Sequence, residues 1–159
     1  MTLLHPGDVF PDLDLHLPAN ETVRLPETLG GKFGVVLFNR GAWCPFCTTQ
    51  LRGFGRVYDQ LQDLGAEVVS LSVDDEATTQ DVVVKNKLTF PVGHSADAHH
   101  IAEVTGAFIN TDPLFLQATG FILDPGGKVL ISTYSSGAIG RLTAEDTIGM
   151  IAYVKSSHA

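Results

Sequence analysis

The sequence predicts an α/β fold, a three-layer sandwich with a mixed central sheet and an N-terminal β extension, filling residues 1–159 as one domain. Three observations carry that prediction. A strand–helix–strand pattern runs from Gly34 to Val73, and an antiparallel hairpin plus a helix closes the chain between Phe121 and Val154. The only two cysteines, Cys44 and Cys47, stand as Cys-Pro-Phe-Cys where the first helix begins. No repeat, low-complexity tract or linker interrupts the 159 residues, a length suited to one domain.

The elements follow in order. Pro6, Pro11, Pro18 and Pro26 punctuate the lead-in, which reads as extended chain with short strands. Gly34–Asn39 is an apolar, β-branched run after the Gly30-Gly31 turn and reads as a buried strand. A helix starts at Cys44, with Pro45 in its first turn where a missing N–H costs nothing. Leu51, Phe54, Val57, Leu61 and Leu64 form one apolar stripe along it, and Gly65 ends it in the left-handed position. Val68–Val73 is the next strand, parallel to the first across a right-handed crossover. Asp74, Asp75 and Glu76 open a second helix that Lys85 and Lys87 close, matching the helix dipole. A short helix spans Asp97–Val104 before Gly106. Phe121–Asp124, the turn Pro125-Gly126-Gly127 and Val129–Tyr134 form a hairpin. Thr143 with Asp146 then caps a final helix running to about Val154. That order, with a cysteine pair at the top of the first crossover, is thioredoxin-like.

Composition narrows the functions available. Lys and Arg total 10 against 18 Asp and Glu, a formal charge of −8, which opposes a nucleic-acid groove or a polybasic membrane patch. No apolar run approaches the ~20 residues that span a bilayer, and Met1–Pro6 lacks the basic and apolar regions of a secretory leader. The expectation is a cytoplasmic protein.

The cysteines carry the chemistry. A Cys44–Cys47 disulfide closes too small a loop to add much chain-entropy stabilisation, and two thiolates supply half of a structural zinc site. In a reducing compartment the pair reads as a redox couple that cycles between dithiol and disulfide. The reacting species is the thiolate, and a helix N-terminus aims backbone N–H groups and a positive dipole end at Cys44. Cys47 lies one turn deeper on the same face, so Cys44 is expected to attack and Cys47 to resolve. Three neighbours are expected to support the pair. Arg40 favours the thiolate or binds an oxyanion, Trp43 screens the sulfur and shapes a groove, and Pro45 rigidifies the motif. Arg141 lies beyond Ser135–Gly140, and nothing in the sequence decides whether it folds back onto the site.

At Arg40-Gly41-Ala42-Trp43-Cys44-Pro45-Phe46-Cys47 the chain resembles the alkyl hydroperoxide reductase / thiol-specific antioxidant (AhpC/TSA) family, among its peroxiredoxin-like members. His5–Leu13, Leu64–Asp74, Leu88–Val92 and Phe121–Gly127 resemble that family's landmarks along nearly the whole length. The resemblance implies a thiol-dependent antioxidant oxidoreductase that reduces hydroperoxides, with a thioredoxin- or glutathione-type reductant, no cofactor and no metal. Two departures accompany it. The family's Pro and Thr upstream of the peroxidatic cysteine are Leu37 and Gly41 here. Where family peroxidases place an Arg and thioredoxins a cis-proline, the chain has Gln117-Ala118-Thr119-Gly120, and Phe38 stands at the position of the buried thioredoxin Asp.

A rival enzymatic reading is thiol–disulfide exchange on protein or low-molecular-weight disulfides, supported by Trp-Cys-x-x-Cys. Non-enzymatic readings are a redox sensor, or a metal-binding protein using His94, Asp97, His99, His100 and Glu103. Expected partners are a hydroperoxide or disulfide substrate and the reductant, without nucleic acid or membrane, in a monomer or homodimer.

Overall fold

A computed structural model describes residues 3–157; the ends of the expected 1–159 domain, residues 1–2 and 158–159, lie outside them. An antiparallel hairpin of β1 (Leu13–Leu17) and β2 (Glu21–Leu25) precedes β3 (Phe33–Phe38). Then come α1 (Pro45–Arg56), α2 (Tyr58–Asp63), β4 (Ala66–Leu71), α3 (Glu76–Lys85), β5 (Val92–Gly93) and α4 (Ala98–Thr105). A small hairpin of β6 (Ile109–Thr111) and β7 (Leu114–Leu116) leads to β8 (Thr119–Leu123), β9 (Val129–Tyr134) and α5 (Ala144–Ser157).

The central sheet runs β5-β4-β3-β8-β9. β3, β4 and β5 are parallel, β8 runs against them, and β9 runs against β8 and so in the direction of β3, which makes the sheet mixed as expected. Strand residues alternate between two cores because successive side chains leave opposite faces. Val36, Phe38, Val69, Leu71, Phe121 and Leu123 pack under the N-terminal hairpin and α4. Val35, Leu37, Val68 and Ile122 pack on the other face against Leu51, Phe54, Leu61 and Ile151 of α1, α2 and α5. Phe121 sits at the centre of an aromatic cluster, with Phe10, Phe38 and Tyr134 ring centroids 5.2, 5.6 and 5.7 Å away. Among the described residues no helix is long and apolar enough to cross a membrane.

Two expectations need correction. The helix read as continuous from Cys44 to Leu64 breaks at Val57, whose φ of −113° takes it out of the helix while Leu61 still bonds to its carbonyl. Gly53 and Gly55 weaken the preceding turn, and the break keeps Phe54, Tyr58 and Leu61 all facing the sheet. The last helix extends to Ser157 rather than about Val154. The remaining caps follow the sequence. Asp75 accepts from the Thr78 amide, Asp97 from the His100 amide, and Thr143 from the Asp146 amide.

Candidate active site

β3 ends at Phe38 in the middle of the sheet, and the segment Asn39–Trp43 crosses its C-terminal edge to reach α1. The Ala42 amide donates to Asp74 Oδ2 at 2.8 Å, tying this loop to the end of β4. Cys44 is the N-cap of α1 and Pro45 the first helical residue, so the proline's absent N–H leaves no broken bond. Cys47 follows within the first turn of the same helix. Both cysteines are free thiols, and both are 1% exposed.

Two guanidinium groups close on the sulfurs. Arg40 donates from Nη1 to Cys44 Sγ at 3.7 Å, and its backbone N–H donates to Cys47 Sγ at 3.3 Å. Its guanidinium carbon lies 4.9 and 5.1 Å from the centroids of the Trp43 and Phe115 rings, and its Nε donates to Gln117 Oε1 at 2.9 Å. Arg141 arrives from the loop between β9 and α5. Its Nη2 donates to Cys47 Sγ at 2.9 Å and lies 3.6 Å from Cys44 Sγ. Arg141 Nη1 donates to Gln50 Oε1 at 2.8 Å and its Nε to the Ala138 carbonyl at 2.6 Å, while Gln50 is anchored to the Leu142 carbonyl. Both guanidinium planes are therefore fixed before any substrate arrives.

The electrostatics separate the two thiols. Burial opposes the Cys44 thiolate, but hydrogen bonds from the Cys47 thiol, the Cys47 amide and Arg40, with the charge of Arg141, outweigh it and hold the Cys44 thiol below the usual range. Burial pushes the Cys47 thiol up, and its hydrogen bond to Cys44 adds to that despite Arg141. The arrangement favours a thiolate at Cys44 accepting a hydrogen bond from a neutral Cys47 thiol, the division of labour that an attacking and a resolving sulfur require.

Of the expected supporting residues, Arg40 touches the sulfur and Pro45 starts the helix. Trp43 is 57% exposed and packs edge-on against Phe115 with centroids 5.0 Å apart, so it forms the outer rim. Arg141, Gln50 and Gln117 are the components that sequence reasoning did not assign. Gln50 carried a weak signal, lying three residues beyond Cys47 on the same helix. The histidines stay apart from the site. His94 is hydrogen-bonded to Ser95 and near the Leu17 carbonyl, Asp97 caps α4, and no three His, Cys, Asp or Glu side chains among the described residues converge as metal ligands.

A family model described as the AhpC/TSA family matches residues 6–131. The chain belongs to the AhpC/TSA family. Relatives include a peroxiredoxin of Methanothermobacter thermautotrophicus, 28% identical over 141 residues that cover 85% of this chain and 66% of the relative. A Treponema denticola peroxiredoxin is 30% identical with the same coverage. The chain thus spans about two-thirds of the length of these relatives. Among solved structures, the peroxidoxin BcpB of Mycobacterium tuberculosis superposes with a TM-score of 0.82 at 20% identity, covering 95% of this chain and 98% of that one, a likeness in fold.

Within the AhpC/TSA frame the two departures acquire physical reasons. A Cβ built at Gly41, the position of the family's Thr, would run into the Trp43 indole, so the rim aromatic and a side chain at 41 exclude each other. Gln117, in the loop that carries the family's Arg, instead holds the Arg40 guanidinium from outside. Arg141 brings the second guanidinium from a different loop.

Proposed function

We propose that this chain is a thiol peroxidase in which Cys44 attacks a hydroperoxide and Cys47 resolves the product as an intramolecular disulfide. The observation that carries the reading is the pair of guanidinium groups, Arg40 at 3.7 Å and Arg141 at 3.6 Å, around a Cys44 sulfur whose thiol is held below its usual range. Family membership supports it.

The Cys44 thiolate attacks one peroxide oxygen along the O–O axis. An S–O bond forms as the O–O bond breaks, and the departing hydroxide or alkoxide takes up a proton to leave as water or alcohol. The guanidinium N–H groups lie where charge moves from sulfur to oxygen, the placement that electrostatic catalysis requires. Cys44 becomes a sulfenic acid. Cys47 then attacks the Cys44 sulfur, forming the S–S bond and expelling hydroxide, which leaves as water. A reductant of the thioredoxin or glutathione type returns the dithiol.

A Cys44 residue only 1% exposed favours a small peroxide over a bulky protein disulfide, which needs the Trp43 rim to open before it can reach the sulfur. The same reading makes residues 1–159 a single domain working in the reducing cytoplasm. The test is steady-state consumption of hydrogen peroxide with dithiothreitol as reductant. Cys44→Ser should abolish turnover, and turnover that survives in Cys44→Ser refutes the assignment.

A further inference from the structure

Beside Cys47 a small cavity, which neither Arg40 nor Arg141 lines, lies between α1, α3 and the ends of β3 and β4. Asn39, Cys47, Thr48, Ser72, Asp74 and Thr79 supply its polar wall, and the Thr48 hydroxyl is already committed to the Pro45 carbonyl. The space open to the centre of a water-sized sphere is about 10 Å³, close to the minimum of ~10–15 Å³ that one water molecule needs.

Two buried polar atoms in that wall have no protein partner, Asn39 Oδ1 and Thr79 Oγ1, on residues each 5% exposed. The Asn39 amide is not free to turn the other way. Ser70 Oγ donates to the Leu37 carbonyl at 3.0 Å and must therefore accept from Asn39 Nδ2, which leaves Oδ1 as the unpaired acceptor. An unsatisfied buried polar atom costs ~1–3 kcal/mol, and two in one cavity of this size mark a binding place for a small hydrogen-bonding molecule. Asp74 completes the wall. Its Oδ2 holds the Ala42 amide, its own amide donates to Ser72 Oγ at 3.2 Å, and it is half-buried, so it has a route to solvent.

We propose that a water molecule bound between Asn39 Oδ1 and Thr79 Oγ1 links Cys47 to the Asp74 carboxylate and carries the proton that Cys47 gives up and takes back. The proposal rests on Cys47 being the resolving thiol. During resolution the Cys47 proton passes through this water to Asp74 as the sulfur attacks Cys44; the S–S bond forms, the S–O bond breaks and the expelled hydroxide is protonated to water. Cys47 is oxidised and Cys44 reduced to the disulfide level, with no outside electron donor. During reduction an external dithiol attacks Cys44, Cys47 leaves as a thiolate, and the proton returns by the same path. Arg141 and the Arg40 amide donate to the Cys47 sulfur and hold its charge while the proton is absent.

The test uses no peroxide and so is independent of the identity of the oxidant. The Cys44–Cys47 disulfide is formed with diamide and reduced by dithiothreitol in a stopped-flow instrument, with the fluorescence of Trp43 as the signal. Asp74→Asn keeps an acceptor for the Ala42 amide but cannot take a proton. Asp74→Glu keeps the carboxylate but disturbs that tether. A proton path predicts that Asn slows reduction by about 100-fold, the low end of general acid–base contributions because Arg141 already supports the departing thiolate, and that Glu recovers most of the rate. A purely structural Asp74 predicts the reverse order and overturns the proposal. Asp75→Asn, which retains the α3 cap outside the cavity, should reduce at the wild-type rate. Thr79→Val should slow reduction and lower the melting temperature. A raised melting temperature with an unchanged rate would mean a dry cavity and would also overturn it.

Discussion

Replacing Arg141 by Met keeps the aliphatic stem and removes the charge. The guanidinium contacts both sulfurs, at 2.9 Å for Cys47 and 3.6 Å for Cys44. Two unit charges 3.6 Å apart interact by about 5 kcal/mol at an effective dielectric of ~20. Arg141 is half-buried, and water replaces part of what is lost. Hydrogen bonds to charged groups contribute a net ~1.5–3 kcal/mol. That range corresponds to a loss of about 10–150-fold in the rate at which Cys44 reacts with hydrogen peroxide. Stability should change little, because Gln50 remains bonded to the Leu142 carbonyl and the side chain lies outside the cores. A melting-temperature drop below about 4 °C is expected from the loss of roughly 1 kcal/mol. The assay is single-turnover oxidation of reduced protein under excess peroxide, with Trp43 fluorescence as the probe and melting measured on the same sample. An Arg141→Met oxidation rate indistinguishable from wild type, with an intact melting curve, would refute the role given to this guanidinium.

Further outcomes follow from the same geometry. Arg40→Met should also slow oxidation, and the double variant should depart from additivity because both guanidiniums touch one sulfur, a coupling that a double-mutant cycle measures. Iodoacetamide labelling read by mass spectrometry should modify Cys44 first. Its rate should rise with pH through a midpoint below that of an ordinary thiol and fall on acidification as the thiolate is protonated, while Cys47 stays unlabelled until higher pH. Cys47→Ser should retain the first oxidation and accumulate a Cys44 sulfenic acid that dimedone traps; unimpaired turnover there would remove Cys47 from the resolving role. Phe121→Ala should cost ~3–5 kcal/mol by denaturant unfolding, since three aromatic rings pack around that side chain.

The fold was legible wherever a local signal coincided with a tertiary one. β3 and β4 announce themselves as apolar runs because both of their faces are buried, and Asp75, Asp97 and Thr143 mark helix starts by their capping chemistry. β5 has two residues and β6 and β7 three each, too short for any periodicity to show. The break at Val57 escaped because the apolar stripe continues through it, and only the backbone changes direction there.

The site divides in the same way. Cys44, Pro45, Cys47 and Arg40 lie within eight consecutive residues and share one loop and one helix turn. Arg141 lies 97 residues beyond Cys44, and its approach depends on how the segment after β9 folds back, held by the Ala138 carbonyl and Gln50. No motif spacing encodes such a contact. Gln117 read as a missing Arg because the guanidinium it serves belongs to Arg40, in a different segment of the chain.

The measurement closest to the central claim is the second-order rate constant of fully reduced protein with hydrogen peroxide, set beside that of free cysteine at the same pH. The account predicts a constant orders of magnitude above the free thiol, followed by a slower phase that ends in a Cys44–Cys47 disulfide. A constant no greater than that of free cysteine would contradict it, leaving two guanidiniums around a sulfur that they do not activate toward peroxide.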